Sequence, residues 1–143
     1  MLWDANRQVR RYQYGGQVMK SKHILLVEDD MGMREVLRDI LTDEGFKITT
    51  AENGKIALNK LDEYTFDLIL TDLKMPQMDG MEFLEYVEKN HPTTKVIVIT
   101  AYGEKDNYNQ AKYLGAFEFL SKSIRVEELK KVINRVISRK NET

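Results

Sequence analysis

Four short apolar runs limit this chain more than any other feature of its sequence. His23–Val27, Phe66–Thr71, Lys95–Thr100 and Phe117–Leu120 are rich in Ile, Val, Leu and Phe and are too short for helices, so each reads as a strand. A fifth run, Phe46–Thr50, alternates Phe46 and Ile48 with Lys47 and Thr49. Such a half-polar strand suits a sheet edge, whereas wholly apolar strands suit the covered centre. Between the runs lie helical patterns. Met33, Val36, Leu37, Ile40 and Leu41 form one stripe of a helix ending before Gly45, and Leu129, Val132, Ile133, Val136 and Ile137 repeat its spacing. Gly54–Glu63 and Met81–Asn90 fit two shorter helices, the second closed by His91-Pro92. Glu104–Leu114 has the weakest pattern of the five. Strands alternating with helices make a βαβ series. The fold class is therefore α/β, a five-stranded, mostly parallel, doubly wound sheet with helices on both faces.

A chain of 143 residues fits one domain, and a domain of that size buries roughly two-thirds of its unfolded surface. The formal net charge of −1 lacks the basic excess of a protein that coats nucleic acid, so no direct nucleic-acid binding is expected. There are no cysteines, which excludes disulfides, thiolate metal sites and cysteine nucleophiles. No apolar run approaches the ~20 residues that span a bilayer, and the N-terminus has no signal-peptide core, so a cytoplasmic protein without membrane contact is expected. Residues 1–20 lack a sustained period and end near Gly15-Gly16, while Met19-Lys20-Ser21-Lys22 reads as a second start. The expectation is a flexible leader or added extension over 1–20 and the folded domain over 21–143. The competing reading is a basic arm of Arg7, Arg10 and Arg11 with Tyr12 and Tyr14, touching a partner.

In open doubly wound sheets ligands gather beyond the carboxyl ends of the strands. The first strand leaves into Glu28-Asp29-Asp30, the third into Asp72, the fourth ends at Thr100, and the fifth leaves into Ser121-Lys122. Taken singly, each is commonplace: Asp30 reads as a helix N-cap, Asp72 as a turn residue, Lys122 as surface. Together they put carboxylates, a hydroxyl and an ammonium on one rim. Crowded carboxylates repel unless a hard divalent cation compensates them, and Mg²⁺ suits one or two carboxylates with carbonyl oxygen, water and phosphate. A carboxylate so compensated is a competent nucleophile towards phosphorus, with the lysine and threonine facing the non-bridging oxygens.

The motifs Ile24-Leu-Leu-Val-Glu-Asp-Asp30, Asp67-Leu-Ile-Leu-Thr-Asp-Leu-Lys-Met-Pro-Gln-Met-Asp-Gly80, Val96-Ile-Val-Ile-Thr-Ala-Tyr-Gly103 and Gly115-Ala-Phe-Glu-Phe-Leu-Ser-Lys122 carry a resemblance. Residues 22–139 resemble a response-regulator receiver domain, the module of two-component signalling that accepts a phosphoryl group from a histidine kinase. The resemblance implies the flavodoxin-like strand order 2-1-3-4-5. It implies Asp72 as phosphoacceptor, with Asp29 ligating Mg²⁺ directly, Glu28 acting through water, and the Lys74 carbonyl as third protein ligand. Thr100 matches the switch hydroxyl, Lys122 the family's lysine, and Phe119 its rotating aromatic, although Phe119 fits core packing equally well. Lys74 and Tyr102 stand where the family tunes the lifetime of its aspartyl phosphate. The implied switch runs from phosphate through Thr100 and Phe119 to the face of the fourth helix, fifth strand and fifth helix. The implied partners are a sensor histidine kinase or phosphotransfer protein and a downstream effector or output domain. The chain would catalyse its own phosphorylation and dephosphorylation, with no turnover of an external substrate.

One position departs from the family, which usually follows its lysine with a cis proline. Here Ser123 stands instead, and a non-proline cis bond costs about 3 kcal/mol, so a trans Lys122-Ser123 bond is expected. Three rival functions compete with this reading. A flavin or nucleotide module wants a Gly- or Ser/Thr-rich loop after the first strand, where Glu28-Asp29-Asp30 does the opposite. An aspartate-based phosphatase wants Asp-x-Asp there. A degenerate receiver, serving as a phosphorylation-independent interaction module, has only Ser123 in its favour.

Overall fold

The computed structural model of the chain describes residues 2–4, 9–14, 17–73, 78, 80–100 and 115–138. In chain order the strands are β1 (Leu2–Asp4), β2 (Val9–Tyr14), β3 (Gln17–Lys20), β4 (His23–Val27), β5 (Lys47–Ala51), β6 (Leu68–Thr71), β7 (Lys95–Thr100) and β8 (Glu118–Ser121). The helices are α1 (Met31–Asp43), α2 (Gly54–Glu63), α3 (Gly80–Asn90) and α4 (Val126–Ser138). β4 to β8 form one sheet in the order β5-β4-β6-β7-β8, with every pairing parallel. Counted from β4, that order is 2-1-3-4-5, as the resemblance implies. The half-polar strand β5 does lie at an edge.

Alternation along the central strands sends successive side chains into two cores. Ile24, Leu26, Leu68, Leu70, Ile97 and Ile99 face α1 and α4, meeting Leu41, Leu129, Ile133 and Val136. Leu25, Val27, Ile69, Val96 and Val98 face α2 and α3, meeting Ala57, Leu61, Phe83, Leu84 and Val87. Both sides being covered is why these strands read as unbroken apolar runs. Each fully buried Leu or Ile contributes roughly 1.5–3 kcal/mol of transfer free energy.

The helix ends follow from local chemistry. Asp30 Oδ1 accepts from Met33 N–H at 2.8 Å and caps α1, and Asn53 Oδ1 accepts from Ile56 N–H at 2.8 Å and caps α2. Gly45, at φ 100°, turns the chain out of α1. At Gly80 a Cβ would collide with the backbone of Leu73, so only glycine lets α3 begin against the loop that leaves β6.

Three readings from the sequence shift. Observed β5 and β8 each lie one residue later than their apolar runs, and Phe66 and Asp67 precede β6. Val36 of the α1 stripe is 55% exposed, beside a cavity of about 190 Å³ between α1 and α4. The sequence pattern points to no element in residues 1–20, where β1, β2 and β3 pair antiparallel, with Trp3 opposite Arg10 and Tyr12 opposite Met19. The helix expected over Glu104–Leu114, together with Lys74 and Tyr102, lies outside the described residues. No helix among the described residues is long and apolar enough to cross a membrane.

Candidate functional site

Parallel pairing puts the carboxyl ends of all five strands on one rim. Val27 pairs with Thr71, so Glu28 and Asp72 leave the sheet side by side. Thr100 pairs with Ser121, and Lys122 N–H donates to the Thr100 carbonyl at 2.9 Å. Four of the residues selected from the sequence are thereby brought to one place, and Asp29 follows Glu28 into it.

The geometry is that of a charge cluster. Glu28 is 3% exposed and Asp72 5% exposed. The Lys122 ammonium lies 2.6 Å from Asp72 Oδ2 and 3.0 Å from Glu28 Oε1. One carboxylate oxygen each from Glu28, Asp29 and Asp72 lie within 4.8 Å of one another. Burial pushes the Glu28 carboxyl above its usual range; the Lys122 hydrogen bond opposes the shift, and the hydrogen bond with Asp29 reinforces it. For Lys122, burial alone would lower the ammonium, yet hydrogen bonds and charge from Asp72 and Glu28 outweigh it and hold the group above the ordinary lysine value.

Three carboxylates against one ammonium leave an excess of negative charge among oxygen donors. That donor set fits a hard divalent cation such as Mg²⁺. Thr100 is 2% exposed, and its Oγ1 has no hydrogen-bond partner among the described residues. A buried hydroxyl in that state asks for an acceptor, and the oxygens of a phosphoryl group on this rim are of that kind. Asp30, by contrast, is committed to capping α1. Phe119 is half-buried against the core shared with α2 and α3. The Lys122–Ser123 peptide is trans, and the lysine still reaches both carboxylates.

Sequence reasoning missed Arg34. Its Nη1 donates to the Glu28 carbonyl at 2.9 Å and to the Asp29 carbonyl at 3.4 Å, tying α1 to the acidic loop. A signal existed: a cation in the first turn opposes the helix dipole, so it needs a partner elsewhere.

A parallel sheet of this order, with an acidic cluster, a hydroxyl and a lysine at its carboxyl rim, defines a phosphoryl-accepting α/β domain. The family model described as the response regulator receiver domain matches residues 24–134, and the chain belongs to that family. It is 33% identical over 123 residues to sporulation initiation phosphotransferase F of Bacillus subtilis (strain 168), covering 86% of this chain and 99% of that protein. It is 37% identical over 115 residues to the transcriptional regulatory protein GlrR of Escherichia coli (strain K12), covering 80% of this chain. The chain spans about a quarter of the length of GlrR and of the similar regulators. Among solved structures, a CheY-like response regulator receiver domain protein from Methanospirillum hungatei JF-1 superposes with a TM-score of 0.79 at 31% identity, covering 82% of this chain and 94% of that one. The response regulator protein TrrA from Thermotoga maritima, solved in complex with Mg(2+)-BeF, gives 0.74 at 35% identity, covering 80% and 98%. The chain is thus a receiver domain of two-component signalling, a phosphoacceptor switch.

Proposed function

We propose that Asp72 is the phosphoacceptor and that Lys122, Thr100 and the acidic pair serve it. The observation carrying this reading is Lys122 bridging Asp72 and Glu28 at 2.6 and 3.0 Å beside Asp29. An Asp72 carboxylate oxygen attacks the phosphorus of a phosphohistidine. The P–N bond breaks, its electron pair leaves with the imidazole, and an acyl phosphate forms on Asp72. The Lys122 ammonium then pairs with the non-bridging oxygens, and the orphaned Thr100 hydroxyl donates to one of them. Asp29 and Asp72 would hold Mg²⁺ directly, with Glu28 through water and the Lys74 carbonyl as the resemblance implies. When bound, the ion neutralises the carboxylate charge that would otherwise repel an incoming phosphate.

Phosphorylation adds charge and strong acceptors, biasing a two-state element rather than building a new one. By the resemblance, that element runs from Thr100 through Phe119 to the face formed by the helix expected over Glu104–Leu114, β8 and α4. The proposed donor is a sensor histidine kinase or a phosphotransfer protein in the cytoplasm. A downstream effector or output domain reads the result, and phosphate can also pass on in a relay. Residues 1–20 stay outside the receiver in this reading, which the start of the family match at residue 24 supports.

Intact mass after incubation with a small-molecule phosphodonor tests the assignment. One phosphate that requires both Mg²⁺ and Asp72, and is lost in Asp72→Asn, is the expected result. An Asp72→Asn variant that still gains phosphate would sink it.

A further inference from the structure

The loop that delivers Lys122 is built differently from what a proline after the lysine would allow. Ile124 N–H donates to the Ser121 carbonyl at 3.0 Å, closing a four-residue turn with Lys122 and Ser123 at its centre. Ser123 N–H donates to Ser121 Oγ at 3.2 Å, and the two serine hydroxyls lie 2.8 Å apart. Such a hydroxyl-to-backbone bond two residues on is a recognised way of fixing a turn. On the other side Lys122 N–H is held by the Thr100 carbonyl at 2.9 Å. The backbone of Lys122 is therefore pinned from both directions before its side chain reaches Asp72 and Glu28. That matters because ordering a lysine side chain costs conformational entropy, and a wandering backbone would add to it.

We infer that the Ser121 hydroxyl, through Ser123, is a positioning group that holds Lys122 over Asp72, taking the place of a proline constraint. Proline at 123 has no N–H to give Ser121 and no hydroxyl, and it restricts the backbone of the residue before it. The pair is thus not a loosened version of the family's loop but a second way of fixing it. The inference rests on Lys122 serving the Asp72 site.

The test compares wild type, Ser121→Ala, Ser121→Thr, Ser123→Ala and Asp72→Asn in two measurements. The first is the initial rate of phosphate uptake from acetyl phosphate with Mg²⁺. The second, without phosphodonor, is the rate at which an amine-acylating reagent modifies Lys122, read by peptide mass. Losing one such hydrogen bond should slow uptake in Ser121→Ala roughly two- to tenfold and speed Lys122 acylation, with a fall of no more than a few degrees in melting temperature. Ser121→Thr, which keeps the hydroxyl, should restore both. Ser123→Ala, on an exposed residue, should shift both rates in the same direction and guards against a misfolded first variant. Wild-type acylation and uptake rates in Ser121→Ala and Ser123→Ala would overturn the inference. Phosphate uptake by Asp72→Asn would overturn the parent assignment; its loss there, with both serine variants at wild-type rates, overturns the positioning role alone.

Discussion

The Lys122 ammonium sits 2.6 Å from Asp72 Oδ2 while also lying 3.0 Å from Glu28 Oε1, so one cation serves two nearly buried carboxylates. Neither carboxylate tolerates burial as an unpaired charge, and under the proposed function the same ammonium would meet a phosphoryl oxygen once Asp72 carries it. If Asp72 is the acceptor as proposed, ground-state stability and phosphate capture draw on one side chain.

Removing that side chain should show both effects. Breaking a buried pair by deleting one partner costs about 3–5 kcal/mol, and Lys122 is a quarter exposed, so about 1–2 kcal/mol is expected for Lys122→Met without metal. Added Mg²⁺ should recover more stability in the variant than in wild type, because it supplies the missing positive charge. Urea unfolding with and without Mg²⁺ measures this. Equal gains in the two proteins would mean that the lysine and the metal site are not coupled.

The pH dependence has a definite sign at each end. Glu28 is raised, chiefly by burial, so its contribution is present below the ordinary carboxyl value of about 4.3 and is lost as pH rises through its folded pKa. Lys122 is raised because Asp72 and Glu28 outweigh its burial. Its contribution is fully present below about 10.4 and fades as pH climbs through the folded value. In chelator, the unfolding midpoint of Glu28→Gln should vary less than wild type on the acid side, and Lys122→Met should lack the alkaline decline. A Glu28→Gln profile parallel to wild type would contradict the first assignment.

Neighbouring aspartates should respond differently to metal. Mg²⁺ that binds only the folded chain stabilises it by mass action, about 2.7 kcal/mol at one hundred times its Kd. Asp29→Asn should push the half-saturating Mg²⁺ concentration upward. Asp30→Asn should leave it near wild type, since Asp30 Oδ1 is engaged by Met33 N–H and asparagine caps helices as well as aspartate. Thermal melts across a Mg²⁺ series separate the two. A larger shift for Asp30 would relocate the metal.

Most of this architecture is legible in the chain itself, for identifiable reasons. Ile24 to Val27 and Val96 to Ile99 are covered on both faces, so they leave uninterrupted apolar runs, and the residues after them fall on one rim whatever the loops do. Val36 shows where periodicity stops informing. Spacing assigns it to the inward stripe of α1, but whether that stripe meets α4 depends on how two helices settle over the sheet, and here a cavity separates them. Arg34 leaves one trace, a cation in the first turn of α1, but its partners are backbone carbonyls, which carry no sequence signature of their own. The turn at Ser121 and Ser123 likewise depends on hydroxyl directions that composition does not encode.

Gly80 and Gly54 offer a paired test of how the loop after Asp72 is held. A Cβ on Gly80 would meet the Leu73 carbonyl oxygen and Cα, which are backbone and cannot rotate away. A Cβ on Gly54 would meet the side chain of Met78 at 3.0–3.1 Å, and a methionine can shift its torsions to make room. Gly80→Ala should therefore cost about 1–3 kcal/mol through overpacking. Gly54→Ala should cost less than Gly80→Ala, because the Met78 side chain can give way where the Leu73 backbone cannot. Leu73 follows the proposed acceptor directly, so the Gly80 displacement should also reach Asp72 and raise the Mg²⁺ concentration needed for half saturation, which Gly54→Ala should leave alone. Denaturant midpoints and Mg²⁺ melts on both variants decide the matter. If Gly80→Ala matches wild type in stability and Mg²⁺ response, the contact with Leu73 does not fix the acceptor loop.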